Sequence, residues 1–122
     1  VGHEHCYCPN LKECVTDMFG DLLIGTHIHD NFGQKDSEMV TWHDDYHLLP
    51  FDGTLDYRKV ATRLKQWGYT GTINLELNRS PRQWNVLPWY RDYTAETFFS
   101  DAGERARKIA MLCENADNLY KR

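Results

Sequence analysis

Apolar residues along this chain recur with two different periods. From Leu23 to His29 they alternate, with Ile24, Thr26 and Ile28 on one face and Gly25, His27 and His29 on the other, which is the two-residue period of a half-buried strand. Thr72 to Leu77 repeats the pattern: Ile73, Leu75 and Leu77 alternate with Asn74, Glu76 and Asn78. Elsewhere the step is three or four. Leu11, Cys14, Val15, Met18 and Phe19 follow Asn10, a good N-cap, and stop at Gly20. Tyr57, Val60, Ala61, Leu64 and Trp67 follow Asp56 and stop at Gly68, while Phe98, Ala102, Ala106, Ile109, Cys113 and Ala116 run through a long final helix. Each run has the capping and breaking residues of a helix. Val1 to His3 reads as the carboxyl end of one more strand.

The resulting order is strand end, helix, strand, helix, strand, helix. Such alternation implies an α/β fold with parallel strands joined by right-handed crossovers, in an open sheet or a barrel. Polar groups at the carboxyl ends of several strands favour the barrel, whose catalytic residues sit there. A complete barrel takes about 250 residues. The 122 residues are therefore expected to form one partial domain, the C-terminal portion of a (β/α)8 TIM barrel with about its last three β/α units. Its open sheet edges would be covered by homo-oligomerisation or strand exchange.

Composition narrows the class. An apolar fraction of 41% and a charged fraction of 26% exclude a disordered chain, and no apolar run approaches the roughly 18 residues that span a bilayer. A net charge of −4 argues against general nucleic-acid binding, which calls for a basic face. Cys6, Cys8 and Cys14 crowd together, with Cys113 far off, a spacing that fits reduced thiols in a cytoplasmic protein better than a disulfide framework. Val1 to Asn10 has neither the basic start nor the apolar stretch of a signal peptide.

His27 and Glu76 hold equivalent places on two successive strands and would lie about 5 Å apart in a parallel sheet. An imidazole and a carboxylate so placed suit a divalent cation. Asp45 and His47, spaced D-x-H in the long polar stretch from Asp30 to Gly53, are expected either as ligands of a second metal or as partners of substrate hydroxyls. His3 opens the tract HEHCYC, which also reads as a small metal knot of His3, His5, Cys6 and Cys8. Trp84, Trp89 and Tyr90 stand in an aromatic-rich loop that could wall a site, Trp89 against the substrate, although such aromatics serve subunit contacts as often.

Taken together, G-H at Gly2 and His3, H-I-H-D-N at 27–31, D-x-H followed by L-P-F-D-G-T-L-D-Y, and G-Y-T-G-T-I-N-L-E-L at 68–77 closely resemble the xylose isomerase-like TIM barrels, specifically their sugar phosphate isomerase/epimerase branch. That resemblance implies a metal-dependent isomerisation or epimerisation of a sugar or other hydroxy-carbonyl compound, with proton transfer through an enediolate. It implies His27 and Glu76 as ligands of a divalent metal (Mn, Mg, Co or Zn), Glu76 also as a proton-transfer group, and His3 as a catalytic contact to substrate. His29 and Asp30, which close the same motif, join Asp45 and His47 as expected substrate contacts.

Departures from the family pattern qualify these expectations. The aspartate of D-x-G-H and a second proton-transferring glutamate have no counterpart in these residues, and F-D-G at Phe51 to Gly53 replaces the family's G-E-G, leaving Asp52 without a role. With two ligands only, the 122-residue chain is expected to bind metal weakly and not to turn over. Two rivals accompany the isomerase reading: a zinc-dependent phosphodiesterase similar to the apurinic endonucleases, drawing on His3, Asp45 and His47, and a truncated, non-catalytic fragment.

Overall fold

Helix α1 (Gly2–Tyr7) closes its first turn with the His5 amide donating to the Val1 carbonyl at 3.1 Å. The computed structural model of the chain describes residues 1–7, 18–34, 44–79 and 88–116, with Pro88 and Trp89 as backbone. Met18 and Phe19 are helical and run into a 3-10 turn at Gly20–Leu22; the rest of the helix expected from Asn10 lies outside the described residues.

Helix α2 (Tyr57–Gln66) starts and stops as its sequence predicts. The Asp56 carboxylate accepts from the Arg58 and Lys59 amides at 3.0 and 3.3 Å, satisfying donors that the first turn leaves open. Gly68 stands at φ +65°, the left-handed conformation that ends helices cheaply only at glycine. Tyr57, Ala61 and Leu64 face inward. Helix α3 (Ala95–Glu114) is capped by Thr94, whose hydroxyl accepts from the Thr97 amide at 3.1 Å, and buries Phe98, Ala102 and Ile109. It packs against α2, and a 3-10 turn at Pro88–Asp92 precedes it.

The expected barrel portion is not found. Helix occupies 52% of the described residues and strand 5%, with no sheet among them. Two isolated bridges replace it, Ile28 with Leu75 in parallel and Asp30 with Leu48 antiparallel. The parallel bridge has the spacing of a ladder, with the Ile28 amide on the Asn74 carbonyl at 2.8 Å and the Glu76 amide on the Ile28 carbonyl at 2.9 Å. It ends after one rung because the Thr26 hydroxyl takes the place of backbone, donating to the Thr72 carbonyl at 3.1 Å and accepting from the Asn74 amide at 3.3 Å. Such side-chain competition with ladder bonds is characteristic of threonine. In the other direction Asp30 leaves the parallel partner for Leu48.

Two further expectations fall with the sheet. Val1 to His3 is no strand end, since Gly2 and His3 belong to α1. Strict alternation also fails: Ile24 is 96% exposed, and from Ile28 to Asn31 four consecutive residues are buried.

Two apolar clusters hold these segments. One gathers Tyr46, Leu48, Leu49, Tyr90, Phe98 and Ala102; the other gathers Ile28, Tyr57 and Ile109. Burying each such side chain contributes about 1.5–3 kcal/mol. Ile28 anchors the segment carrying His29 in one cluster, and Tyr46 with Leu48 anchors the segment carrying His47 in the other. No helix among the described residues is long and apolar enough to cross a membrane.

Candidate metal centre

The Asp30–Leu48 bridge sets the residues on either side of it close together. His29 and His47 stack with ring centroids 3.9 Å apart and planes 4° from parallel. His3, on α1, stands edge-on to both, at 4.6 Å from His29 and 5.4 Å from His47. Glu76 follows the Ile28–Leu75 bridge. One ligand atom from each of His3, His29, His47 and Glu76 lies within 4.8 Å of the others.

His29 is fully buried, and its Nδ1 lies 3.1 Å from the Tyr46 carbonyl oxygen. A carbonyl only accepts, so this nitrogen carries the ring proton and Nε2 carries the lone pair. Burial, reinforced by the neighbouring His47, pushes the His29 pKa down to about 4. The ring is therefore neutral at pH 7, with a buried lone pair on Nε2 that has no hydrogen-bond partner among the described residues. Histidines that bind metals commonly donate their other ring N–H to a backbone carbonyl in this way.

Two carboxylates flank the imidazoles. Asp45 Oδ2 lies 2.8 Å from His3 Nδ1 and 3.7 Å from His47 Nε2, and its Oδ1 lies 3.9 Å from His29 Nε2. Glu76 lies opposite, with Oε2 at 3.8 Å from His3 Nε2 and Oε1 at 4.0 Å from His47 Nδ1. Three imidazoles and a carboxylate form a donor set that borderline divalent metals accept. Bonds of about 2.0–2.2 Å would draw such ligands closer around one ion than the 4.8 Å within which these atoms lie. The buried, unpartnered His29 Nε2 and Asp45 Oδ1 fit a cation as well, since each is an electron-rich atom without a donor.

The expected site residues divide into three groups. His3, His47, Glu76 and Asp45, expected at one or two neighbouring sites, lie together. His27 stands at the rim, 71% exposed, with Nδ1 3.5 Å from Glu76 Oε2, outside the tight group. His29, expected on the substrate, is the most buried member of the group. Asp30 turns inward as a structural carboxylate, accepting from the amides of Asn31 and Leu55 on Oδ1 and of Phe51 on Oδ2 at 2.8, 3.1 and 2.9 Å. Burial raises its pKa, and those amides oppose the rise. The Trp89 side chain, and all of Trp84, lie outside the described residues.

The HEHCYC tract does not close a knot of its own. His5 Nε2 bonds Thr54 Oγ1 at 2.9 Å, away from His3. The buried Cys6 thiol donates to the Asp44 carbonyl at 3.1 Å, and burial pushes its pKa up to about 12, so no thiolate is on offer at neutral pH. Cys8 lies outside the described residues. One structural requirement escaped the sequence reading altogether: a Cβ on Gly2 would meet the His29 ring at 2.3 Å. Only glycine lets α1 come that close to His29.

Comparison with known proteins adds one relative. The chain is similar to an uncharacterized protein of Sinorhizobium fredii, y4fM, with 43% identity over 75 residues, which is 62% of this chain and 21% of that protein. The match thus spans about a fifth of the relative's length. No family model matches the chain, and no solved structure matches it.

Proposed function

We propose that His3, His29, His47 and Glu76 bind one divalent cation (Mn, Mg, Co or Zn) and that the site serves a metal-dependent isomerase or epimerase acting on a small sugar, sugar phosphate or other hydroxy-carbonyl compound. The observation that carries the metal is the buried, proton-free and unpartnered Nε2 of His29, turned toward three further donors. The resemblance of the H-I-H-D-N and N-L-E-L segments to the xylose isomerase-like family supports the reaction class.

A divalent metal would supply Lewis acidity that makes the proton beside a substrate carbonyl easier to remove. The chain's residues do the rest. Glu76 is part-exposed, and its carboxylate takes that proton, leaving the electron pair as an enediolate. His3 donates through Nδ1 to Asp45 at 2.8 Å, which fixes its ring and leaves the Nε2 lone pair for the cation, so the proton goes back to the enediolate from Glu76. A positioned acid–base group of this kind is worth roughly 10² to 10⁴-fold in rate. His27, at the rim, contacts substrate.

Cytoplasmic location belongs to the same proposal and agrees with the free thiols of Cys6 and Cys113. So does assembly of copies, which the exposed Met18, Phe19, Leu22 and Ile24 support. Because four donors converge within the chain, where two had been expected, its cation affinity is set higher here than the sequence alone implies.

Calorimetry of the full chain with Mn²⁺, Co²⁺ and Zn²⁺ tests the metal. One equivalent per chain is expected, with a cobalt absorption spectrum typical of nitrogen and oxygen donors. Incubation of the loaded protein with a panel of sugars and sugar phosphates in D₂O tests the reaction through deuterium uptake at the carbon beside the carbonyl. Cation binding without uptake, accompanied by cleavage of abasic-site DNA, replaces the isomerase with a phosphodiesterase. No binding at all leaves a non-catalytic chain.

A further inference from the structure

Asp52 lies outside the donor group, yet it is tied into the most connected polar cluster beside it. The Tyr90 hydroxyl accepts from the Leu49 amide at 2.9 Å and donates to Asp52 Oδ2 at 2.7 Å. The Arg105 guanidinium, on α3, donates to Asp52 Oδ1 at 2.5 Å and to the Pro50 carbonyl at 2.6 Å, while its Nε is held by Asp101 at 2.9 Å. We propose that Asp52, Tyr90 and Arg105 are positioning residues that hold the Leu49–Asp52 turn, and through it keep the His47 ring flat on His29 at the spacing a cation requires. This inference rests on the cation-centre reading.

Three observations connect the cluster to the donors. The turn begins two residues after His47, and the Asp30–Leu48 bridge, with its paired bonds of 3.0 Å, joins it to the residue after His29. A shift of Leu49 is therefore transmitted to the stacked rings. Phe51 within the turn stands at φ +75°, a left-handed conformation that a bulky residue keeps only where its surroundings insist on it. The surroundings are specific: its amide donates to Asp30 at 2.9 Å, and its ring is held between Tyr57, at 4.5 Å, and the Lys108 ammonium, at 4.2 Å. Finally, beside the turn's own Asp52 amide to Leu49 carbonyl bond at 3.1 Å, its anchors come from outside it, from Asp30, Tyr90 and α3, so its position is imposed by these partners. These three residues act on the cation through His47.

The full chain carrying Tyr90→Phe, Asp52→Asn or Arg105→Lys tests the assignment, with Gly68→Ala, which strains the left-handed residue just past the far end of α2, as a control away from the cluster. Two readouts are needed: Mn²⁺ affinity by calorimetry, and the ring-current-shifted imidazole proton signals of His29 and His47 in the metal-free chain by NMR. Tyr90→Phe and Asp52→Asn are expected to weaken Mn²⁺ binding about tenfold, the lower end of what outer partners of metal ligands are worth, and to move both imidazole signals toward unstacked values. Arg105→Lys should fall between, and Gly68→Ala should lose stability with neither readout changed. Variants that lose stability yet keep the parent's affinity and imidazole signals overturn the assignment. If the parent binds no Mn²⁺, the cation reading fails, and the imidazole signals still decide the positioning. Should Tyr90→Phe not fold, Arg105→Lys decides it.

Discussion

His29 Nε2 and Asp45 Oδ1 face each other at 3.9 Å, both buried and neither with a hydrogen-bond partner among the described residues. Leaving such groups unsatisfied costs on the order of 1–3 kcal/mol each. Protonating His29 would pair them, but burial holds that ring neutral. A cation would relieve both atoms at once, which is how these two residues support the proposed cation site.

His29→Ala should weaken Mn²⁺ or Zn²⁺ binding by more than roughly 100-fold and also lower metal-free stability by about 2–4 kcal/mol, since it removes a fully buried ring that stacks on His47 and leaves a cavity. Thermal melts with and without metal check this. A metal-dependent rise in melting temperature that survives in His29→Ala would remove His29 from the donor set.

Asp30→Asn should cost about 2–4 kcal/mol, although the two side chains have nearly the same shape. The carboxylate accepts amide N–H groups on both oxygens, and an amide NH₂ in place of either oxygen sets donor against donor in a buried place. Urea unfolding at neutral pH measures it. A change below about 0.5 kcal/mol would mean that the carboxylate is not needed there.

Gly2→Ala should impair the site and the fold together. The added methyl would press on the His29 ring and on its carbonyl oxygen, 2.7 Å from the new carbon, so α1 or His29 must move. Overpacking of this kind costs about 1–3 kcal/mol, and the cation titration should weaken in parallel. Unchanged affinity would show that α1 shifts without disturbing the donors.

Arg105 gives stability a dependence on acid. Its hydrogen bond to Asp101 holds that carboxyl below its ordinary range. The folded pKa thus lies beneath the unfolded one, about 3.9. Stability from the pair is therefore complete above pH 4 and lost as pH falls through the folded value. Asp101→Asn should lower the urea midpoint at pH 6, by about 1 kcal/mol in stability, and the difference from the parent should shrink toward pH 2. A constant difference across that range would assign the effect to packing.

Helix α2 was legible down to its caps because everything that defines it is local: Asp56 reaches amides two and three residues ahead, and Gly68 supplies its own left-handed turn. The donor residues were legible as types, with His3, Asp45, His47 and Glu76 singled out before any coordinates. Their ranking was not. H-I-H presents His27 and His29 at equivalent spacing, and only the packing around Ile28 and Tyr46 buries the second and leaves the first at the rim. Asp30 looked like a substrate contact because nothing local reveals that Phe51 and Leu55 return to it from more than twenty residues away.

What the residues determined unaided was the placement of helices α2 and α3, the absence of a long apolar span, and a set of imidazoles and carboxylates suited to a cation. Whether alternating segments become a sheet was left to tertiary structure, because ladders need partners in register and one Thr26 hydroxyl suffices to replace a rung. Tertiary structure also chose His29 over His27 and gave Asp52 its partners, since burial and long-range hydrogen bonds depend on which distant segments meet.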